Sequence, residues 1–299
     1  MEIFNGENII DFVTKFDSDQ ACKEYLAELK WENGYKCKKC GHERYSSKES
    51  YSRVCTRCKH IESPTANTMF HKVKFGLRKA FMIAFDMSAT TKGLSSSQVA
   101  KRYGISRKTA WLFMHKLRIV MQSSESYPMT GNVHVDEFVV GGKENMKPGR
   151  SNNSKKKKVI VAVELTNNNK VKRTYSMCIE DYSSKSLQQI FQKHISTTAQ
   201  ITTDEWNGYK PLSKDYNITQ IPSNNGQNFK QLHQIIHQIK SWIRTTYSWT
   251  HKLHTDKYLD EYSFRINRSI YKDTIFHKLI ERMILASPIE YKDIIIVTK

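Results

Sequence analysis

Four cysteines near the N-terminus constrain the fold of this chain more than any other feature. Cys37 and Cys40 form one C-x2-C pair, and Cys55 and Cys58 form a second pair after fourteen intervening residues. Two residues between thiolates let one tight turn direct both sulfurs at the same ion, and Gly41 suits the positive φ that such a turn needs. The spacing predicts a zinc ribbon whose metal is structural, because four thiolates fill the coordination shell.

Two disulfides are the alternative for the same four cysteines. The start of the chain, MEIFNGENIIDF, has early acids and no basic segment before an apolar one, so we expect no secretory signal. No run approaches the roughly 18 apolar residues of a membrane span. We therefore expect a cytoplasmic protein in a reducing compartment, where zinc thiolates are favoured over disulfides. The other cysteines, Cys22 and Cys178, are expected to be small buried residues.

The charge balance indicates an acidic polymer as the partner. Lys and Arg number 48 against 29 Asp and Glu, so the net charge is +19 with neutral histidines. Small acidic substrates do not require such an excess. With 38% apolar residues among 299, the chain can bury the cores of two or three compact units.

Residues 93–121 have the pattern of a helix-turn-helix, and amphipathic helices are also predicted over residues 17–31 and 75–93. Ser95 or Ser96 can cap the first helix of the pattern, a Tyr-Gly-Ile turn follows, and Ser106 can cap the second helix. An ordinary helical hairpin with a charged face is the alternative interpretation.

The start of the second helix of this pattern carries the residues expected to contact DNA. Arg107, Lys108 and Thr109 lie there, where a recognition helix presents polar and basic side chains to bases and phosphates. The net charge favours this interpretation over the plain hairpin. The residues expected to pack inward are Trp111, Leu112 and Leu117.

From residue 132 onward, short β-like runs replace the helical pattern. The predicted strands are NVHVDEFVVGG, KVIVAVELT, VKRTYSMCIED, AQITTDEW and NITQIP. Helices are predicted over residues 183–195, about 229–247 and about 256–286. This order predicts an α/β domain with a mixed sheet flanked by helices. The basic loop at 143–158 is interpreted equally well as a solvated turn or as a DNA-gripping loop.

Two aspartates on predicted strands are candidate metal ligands. Asp136 lies inside the apolar strand VHVDEFVV, on the face shared by His134 and Phe138, where an unpaired carboxylate is costly. Asp204 ends the strand AQITTDEW, at an end of the sheet where α/β sites commonly lie. Oxygen ligands on two strands suit Mg²⁺, although strand-end aspartates are more often turn formers.

A polar stripe on the helix after NNGQNFK is the third candidate element. His233, His237 and Lys240 are spaced at i, i+4 and i+7 and share one face of the helix. This stripe can complete a metal site and hold a phosphate. A solvated helix surface is the alternative.

The motifs together resemble a known family. The relevant stretches are WENGYKCKKCG, CTRC, KGLSSSQVAKRYGISRKTAWLFMHKLR, VDEFVVGGKE, TTDEWNGY, HQIIHQIKSWIR and YLDEYSFRINRS, in this order over most of residues 20–270. On these motifs the chain resembles the bacterial insertion-sequence transposases of the ISXO-like type. The resemblance implies a zinc ribbon over residues 1–70, a helix-turn-helix DNA-binding unit over 71–125 and an RNase H-like DDE-type catalytic domain over 126–299.

The resemblance also implies roles for individual residues. Asp136 and Asp204 correspond to the first and second catalytic carboxylates of the family. The third ligand, which is an Asn, a Glu or in some branches a His, lies seven residues before a lysine. That residue is His233, with Lys240 as the lysine; the alternatives for the third ligand are His237 and Glu261. Arg244, one turn after Lys240, is expected to contact DNA with it.

The activity implied is metal-dependent cleavage of the element ends, followed by transfer of the 3′-OH to target DNA. The expected cofactors are structural Zn²⁺ on four cysteines and two catalytic Mg²⁺ or Mn²⁺ ions. The expected partners are terminal inverted repeats, target DNA and further copies of the chain, with a nucleoid-associated location and no membrane. The alternative function is a DNA-binding regulator with an inactive RNase H-like domain.

Overall fold

The computed structural model describes residues 3–6, 8–89, 92–141, 156–247 and 250–295. Residues 143–155 of the predicted basic loop at 143–158 lie outside the described residues. The helices are α1 (Ile9–Lys15), α2 (Asp19–Lys30), α3 (Leu77–Ala89), α4 (Ser96–Tyr103), α5 (Arg107–Met121), α6 (Ser184–His194), α7 (Lys230–Thr246), α8 (Thr255–Ile266), α9 (Ile275–Leu285) and α10 (Tyr291–Ile295). The strands are β1 (Tyr45–Ser47), β2 (Arg53–Cys55), β3 (Ile61–Glu62), β4 (Asn132–Val140), β5 (Lys157–Leu165), β6 (Val171–Ile179), β7 (Gln200–Thr203) and β8 (Asn217–Gln220).

The chain divides into two compact units that differ from the three predicted domains. The first unit combines Met1–Met121 with Ile270–Lys299, and the second is Gln122–Ser269. The prediction of a single helix over about 256–286 is wrong, because α8 ends at Ile266 and α9 begins at Ile275. Residues 267–274, between the two helices, lack the apolar periodicity of a helix that packs against a core. Ile270 among them is 80% exposed.

An aromatic cluster explains why helix α9, late in the chain, belongs to the first unit. Phe276 of α9 contacts the rings of Phe12 and Phe16, at centroid separations of 5.1 and 5.6 Å. Tyr25 of α2 donates or accepts a 2.6 Å hydrogen bond with Nδ1 of the buried His277. Aromatic pairs of this kind add stability beyond the area that they bury. The N-terminal helices and α9 therefore share one core.

The second unit is built on a mixed sheet with the strand order β6-β5-β4-β7-β8. Strands β6, β5 and β4 are antiparallel, whereas β4, β7 and β8 are parallel. Strand β5, which lies between β6 and the central strand β4, has a nearly continuous apolar run because both of its faces are buried. The predicted α/β class, a mixed sheet flanked by helices, is confirmed.

Strand β4 alternates between two hydrophobic cores, as its sequence pattern predicts. Val133 and Val135 pack in a core with α6, while Phe138 and Val140 pack in the opposite core with α7 and α8. Asp136 therefore points to the α7 side of the sheet.

The outer edge of β6 is covered by side chains of α8. The backbone N–H of Thr174 donates to Oδ1 of Asn267 at 2.7 Å, and Nδ2 of Asn267 donates back to the Thr174 carbonyl at 3.0 Å. The N–H of Cys178 donates to Oδ1 of Asp256 at 2.6 Å. These bonds satisfy backbone groups at an edge that would otherwise attract further strands.

Among the described helices, none is long and apolar enough to cross a membrane.

Candidate metal centres

The four predicted cysteines converge on one point. The Sγ atoms of Cys37 and Cys58 are 3.6 Å apart, as are those of Cys40 and Cys55. All four lie within 4.8 Å of one another. A disulfide requires about 2.05 Å between sulfurs, whereas Zn–S bonds of about 2.3 Å place tetrahedral ligands about 3.8 Å apart. The spacing therefore fits zinc and contradicts the disulfide alternative.

Two similar turns hold these sulfurs. In the first, Gly41 has a φ of +71° and its N–H donates to the Cys37 carbonyl at 2.9 Å, as the sequence indicated. In the second, Lys59 takes the left-handed conformation at +58° and bonds to the Cys55 carbonyl at 3.0 Å. The spacing predicted this turn too, but a non-glycine residue in this conformation is uncommon, so the left-handed lysine was not evident from the sequence.

The ribbon is anchored by a buried ion pair. Nζ of Lys30 lies 2.8 Å from Oε1 of Glu62, and the two side chains are 10% and 1% exposed. Lys30 also donates to the carbonyls of Ser63 and Ala66. Three partners compensate the lysine for lost hydration. Arg53 is stacked on Trp31 and other aromatic rings beside the ribbon.

The second candidate centre is formed by Asp136 on β4 and His233 on α7. Oδ2 of Asp136 lies 3.4 Å from Nε2 of His233. Oδ1 of Asp136 accepts a 2.7 Å hydrogen bond from the backbone N–H of Glu137. Both side chains remain partly exposed, at 20% and 34%. The separation of 3.4 Å exceeds a normal N–H···O hydrogen bond and is compatible with two ligands of one cation.

Asp204 directly follows β7, the parallel neighbour of β4. The register pairs Val135 with Thr203, the last residue of β7, so each of the two aspartates is the next residue along the chain after this pair. Register partners point to the same face of a sheet, and adjacent strands are about 4.8 Å apart. Oδ1 of Asp204 also accepts a 3.1 Å bond from the Trp206 N–H, which closes a turn. Asp204 is thus a turn former, and its carboxylate has further acceptor capacity.

The three predicted ligands do not form one compact group. Among the described residues, the four cysteines are the only set of three or more possible ligands whose atoms all lie within 4.8 Å of one another. Two ions about 4 Å apart need ligands spread more widely than a single coordination shell. Tyr209 is buried close to these carboxylates, and burial followed by the charges of Glu137, Asp136 and Asp204 holds its pKa well above the usual value.

The alternatives for the third ligand lie elsewhere. His237 is exposed and lines a cleft together with Lys240 and Arg244. Glu261 is fully buried, 3.6 Å from Nη1 of Arg265, in the packing and ion-pair role that its sequence context suggests. Of the three candidates, His233 is the one in contact with Asp136.

Gly226 controls the orientation of the His233 ring, and sequence reasoning missed this residue. Its φ is +85°, and a Cβ at this position would lie 2.4 Å from Nδ1 of His233. The ring of Phe229 lies nearly parallel to the imidazole, with centroids 6.4 Å apart. Gly226 therefore faces Nδ1 while Nε2 faces Asp136. The Asn-Gly pair in the NNGQNFK stretch was the available signal.

Replacing Gly226 by Ala is expected to rotate the imidazole of His233 away from Asp136. Nuclear Overhauser contacts between the rings of His233 and Phe229 should disappear. Gly34→Ala is the matched control, since Gly34 has a φ of +95° but no atom within 4 Å of the point where a methyl group would lie. Both variants should lose about 1 kcal/mol of unfolding free energy through backbone strain. Unchanged ring contacts in Gly226→Ala would contradict this role.

The predicted DNA-contact helices have the expected connection. Ser95 caps α4 in a capping box with Gln98, and Gly104 ends that helix in the left-handed conformation. The Ser106 hydroxyl accepts from the Thr109 N–H at 3.1 Å at the start of α5. Arg107 and Lys108 are exposed, and Thr109 is half-buried.

One packing prediction for this region is wrong in part. Leu117 is fully buried, but Trp111 and Leu112 are only half-buried. The Trp111 ring packs on His115 of its own helix, with centroids 4.3 Å apart. An indole can cover a neighbouring side chain without entering the core, because its large ring is amphipathic.

Part of the second unit is similar to a known transposase domain. Residues 128–267 match the ISXO2-like transposase domain. A relative from Halobacterium salinarum, described as "Uncharacterized protein in transposable element ISH50", is 26% identical over 147 residues. This alignment covers 46% of the chain and 49% of the relative, so the chain spans about half the length of the curated relative that it matches. The resemblance to the ISXO-like transposases that the sequence motifs indicated is thereby confirmed, with residues 128–267 matching the ISXO2-like transposase domain.

Proposed function

We propose that this chain is a transposase that cleaves the ends of its insertion sequence and joins the freed 3′-OH to target DNA. The observation that carries the proposal is the contact between Asp136 and His233 beside Asp204, within the segment that matches a transposase domain. The net charge of +19 is compatible with a DNA substrate.

The residues present fit a divalent-cation site. Asp136 on β4 and Asp204 just after the adjacent strand β7 offer carboxylate oxygens, and His233 offers Nε2 from α7. Hard cations such as Mg²⁺ prefer oxygen and retain several waters, while Mn²⁺ accepts nitrogen more readily. When bound, two such ions stabilise the charge on the attacking and leaving oxygens of a phosphodiester.

The basic residues of α7 orient the DNA in this proposal. Burial lowers the pKa of the Lys240 ammonium, while the nearby Asp136 carboxylate acts in the opposite direction. Lys240 can therefore hold a phosphate by charge close to Asp136. Arg244 follows one turn later on the same helix and can contact a second phosphate.

The first unit is proposed to recognise the element ends. The zinc ribbon would hold a small basic surface in place, and Arg107, Lys108 and Thr109 would contact DNA from the start of α5. Transposition brings two ends together, so we expect a homodimer or a larger assembly on DNA.

The proposal is tested with DNA that carries the inverted repeats flanking the gene. Purified full-length chain with a divalent ion should nick this DNA at the repeat ends and join them to a target plasmid. Specific binding without cleavage in both Mg²⁺ and Mn²⁺ would instead indicate a DNA-binding regulator. Cleavage of branched DNA without joining would indicate a nuclease.

The imidazole at the site predicts a preference for manganese. Strand transfer by the wild-type chain should be several-fold faster in Mn²⁺ than in Mg²⁺, because nitrogen is a poor ligand for Mg²⁺. His233→Asp should move this ratio toward Mg²⁺. His237→Asp, with the same change one turn away on an exposed residue, should leave the ratio unchanged. Faster transfer in Mg²⁺ by the wild-type chain would refute the argument.

A further inference from the structure

A cleft in the second unit lies where the end of β4, the start of β5 and α7 meet. Its volume is about 680 Å³, which lies within the range of about 300–1000 Å³ typical of small-molecule sites. The side chains and backbone that line it come from Val139, Val140, Gly141, Lys157, His237, Lys240, Ser241, Ile243, Arg244, Tyr247 and Thr250.

The polar side of the cleft is cationic. Lys157, Lys240 and Arg244 line it, and none of the lining residues is acidic. Within the described part of the chain, no carboxylate lies within 4 Å of the charged groups of Lys240 or Arg244. Lys157 and Lys240 are half-buried and Arg244 is exposed, and this group of three cations favours an anion.

Lys157, one of the cations that line the cleft, is held in place by Thr250. Its ammonium donates to the carbonyl oxygen and to Oγ1 of Thr250. An ammonium has three donors, so these two bonds leave one for a ligand. Burial lowers the pKa of Lys157, as it does for Lys240. Thr250 thus fixes the place of Lys157, and both lysines are partly withdrawn from water.

Apolar side chains also line the cleft. They are those of Val140, Ile243 and Tyr247. A free phosphate has no apolar surface to bury against these side chains. The sugar and base of a nucleotide do, and burying that surface adds to the binding free energy. The volume and the mixed cationic and apolar lining of the cleft therefore fit a nucleotide better than a bare anion.

The cleft adjoins the candidate cation site. Val139 follows Asp136 by three residues on β4, and Lys240 lines the cleft while interacting electrostatically with Asp136. We infer that the cleft holds one nucleotide of the DNA strand next to the scissile bond, with its phosphate on Lys157, Lys240 and Arg244 and its sugar and base on Val140 and Tyr247. This inference rests on the proposed function and names a subsite of the same DNA.

The inference is tested by ligand-observed NMR on the full-length, zinc-containing chain without added divalent ion. Thymidine 5′-monophosphate, inorganic phosphate and thymidine are titrated separately. The nucleotide should bind about tenfold more tightly than either fragment, because it contacts both sides of the cleft. Equal binding of inorganic phosphate would overturn the nucleotide assignment, and absence of nucleotide binding at millimolar concentration would overturn the site.

Ser241 offers a matched pair of variants. It is exposed on α7 and lines the cleft, so a change there does not disturb the core. Ser241→Glu should weaken binding of the monophosphate about five- to tenfold by repulsion, whereas Ser241→Gln should change it less than twofold. Equal affinities of the two variants would contradict a phosphate at this position.

Adjacent lysines of β5 provide a second pair. Lys157→Met should weaken nucleotide binding at least fivefold, while Lys158→Met, on the other face of the strand, should not.

Failure of the subsite is distinguishable from failure of the proposed function. If Ser241→Glu and Lys157→Met bind the monophosphate as the wild-type chain does, and DNA cleavage is intact, only the subsite is ruled out. If the wild-type chain cleaves DNA with no metal tested but still binds the nucleotide, only the enzymatic activity is ruled out.

Discussion

Strand transfer by Asp136→Asn is expected to fall at least about a thousandfold below the wild-type rate. Oδ2 of Asp136 faces Nε2 of His233, and Asp204 follows the last register pair between β4 and β7, so Asp136 occupies the centre of the proposed cation site. An amide has one oxygen and no charge, and losing a charged metal ligand removes several kcal/mol of transition-state stabilisation. The measurement is strand transfer with labelled repeat-end DNA.

The fold and the binding of DNA ends should survive this substitution. Asn has nearly the shape of Asp, and its oxygen can still accept the bond from the Glu137 N–H. Asp204→Asn should behave alike, since an amide oxygen can also accept from Trp206 and keep the turn closed. Asp215→Asn, at an exposed residue, is the control and should transfer strands normally. Loss of end binding in both site variants would assign these aspartates a structural role.

Cys37→Ser is expected to abolish stoichiometric zinc binding and unfold the ribbon. The four sulfurs lie within 4.8 Å of one another, and the strands β1 to β3 that surround them are only two or three residues long. Structural zinc contributes on the order of 10–16 kcal/mol of apparent binding free energy in small domains, which such short strands cannot replace. Zinc content by atomic absorption, together with thermal unfolding, measures the effect.

The control for this prediction is another cysteine of the same unit. Cys22 is fully buried but lies outside the four-sulfur group, as the sequence predicted. Cys22→Ala should retain one zinc per chain while it loses some stability from the vacated volume. A Cys37→Ser chain that keeps its zinc and its unfolding temperature would contradict a structural metal at these residues.

Local patterns predicted the parts of the molecule that depend on local chemistry. The cysteine spacing predicted the ribbon, and the alternation of β4 predicted that Asp136 and Phe138 share a face. The stripe on α7 placed His233 and Lys240 on one side of a helix. In each case, the period of the backbone alone decides which side chains meet.

The features that escaped prediction depend on contacts between distant segments. Nothing near residue 270 indicates that α9 packs its Phe276 against Phe12, because both are ordinary apolar residues in their own helices. The contact of Gly226 with His233 follows from a left-handed backbone conformation that no sequence period encodes. Trp111 was assigned to the core by its hydrophobicity, although large aromatic residues often remain partly exposed.

Pulsed electron paramagnetic resonance on bound Mn²⁺ tests the central claim that Asp136, Asp204 and His233 hold the catalytic cation. The wild-type chain with Mn²⁺ should show nitrogen coupling from one directly bound imidazole. This coupling should vanish in His233→Asp and persist in His237→Asp, and Asp136→Asn should weaken Mn²⁺ binding at least tenfold. Bound Mn²⁺ without nitrogen coupling in the wild-type chain, or with coupling that survives loss of His233, would contradict the account.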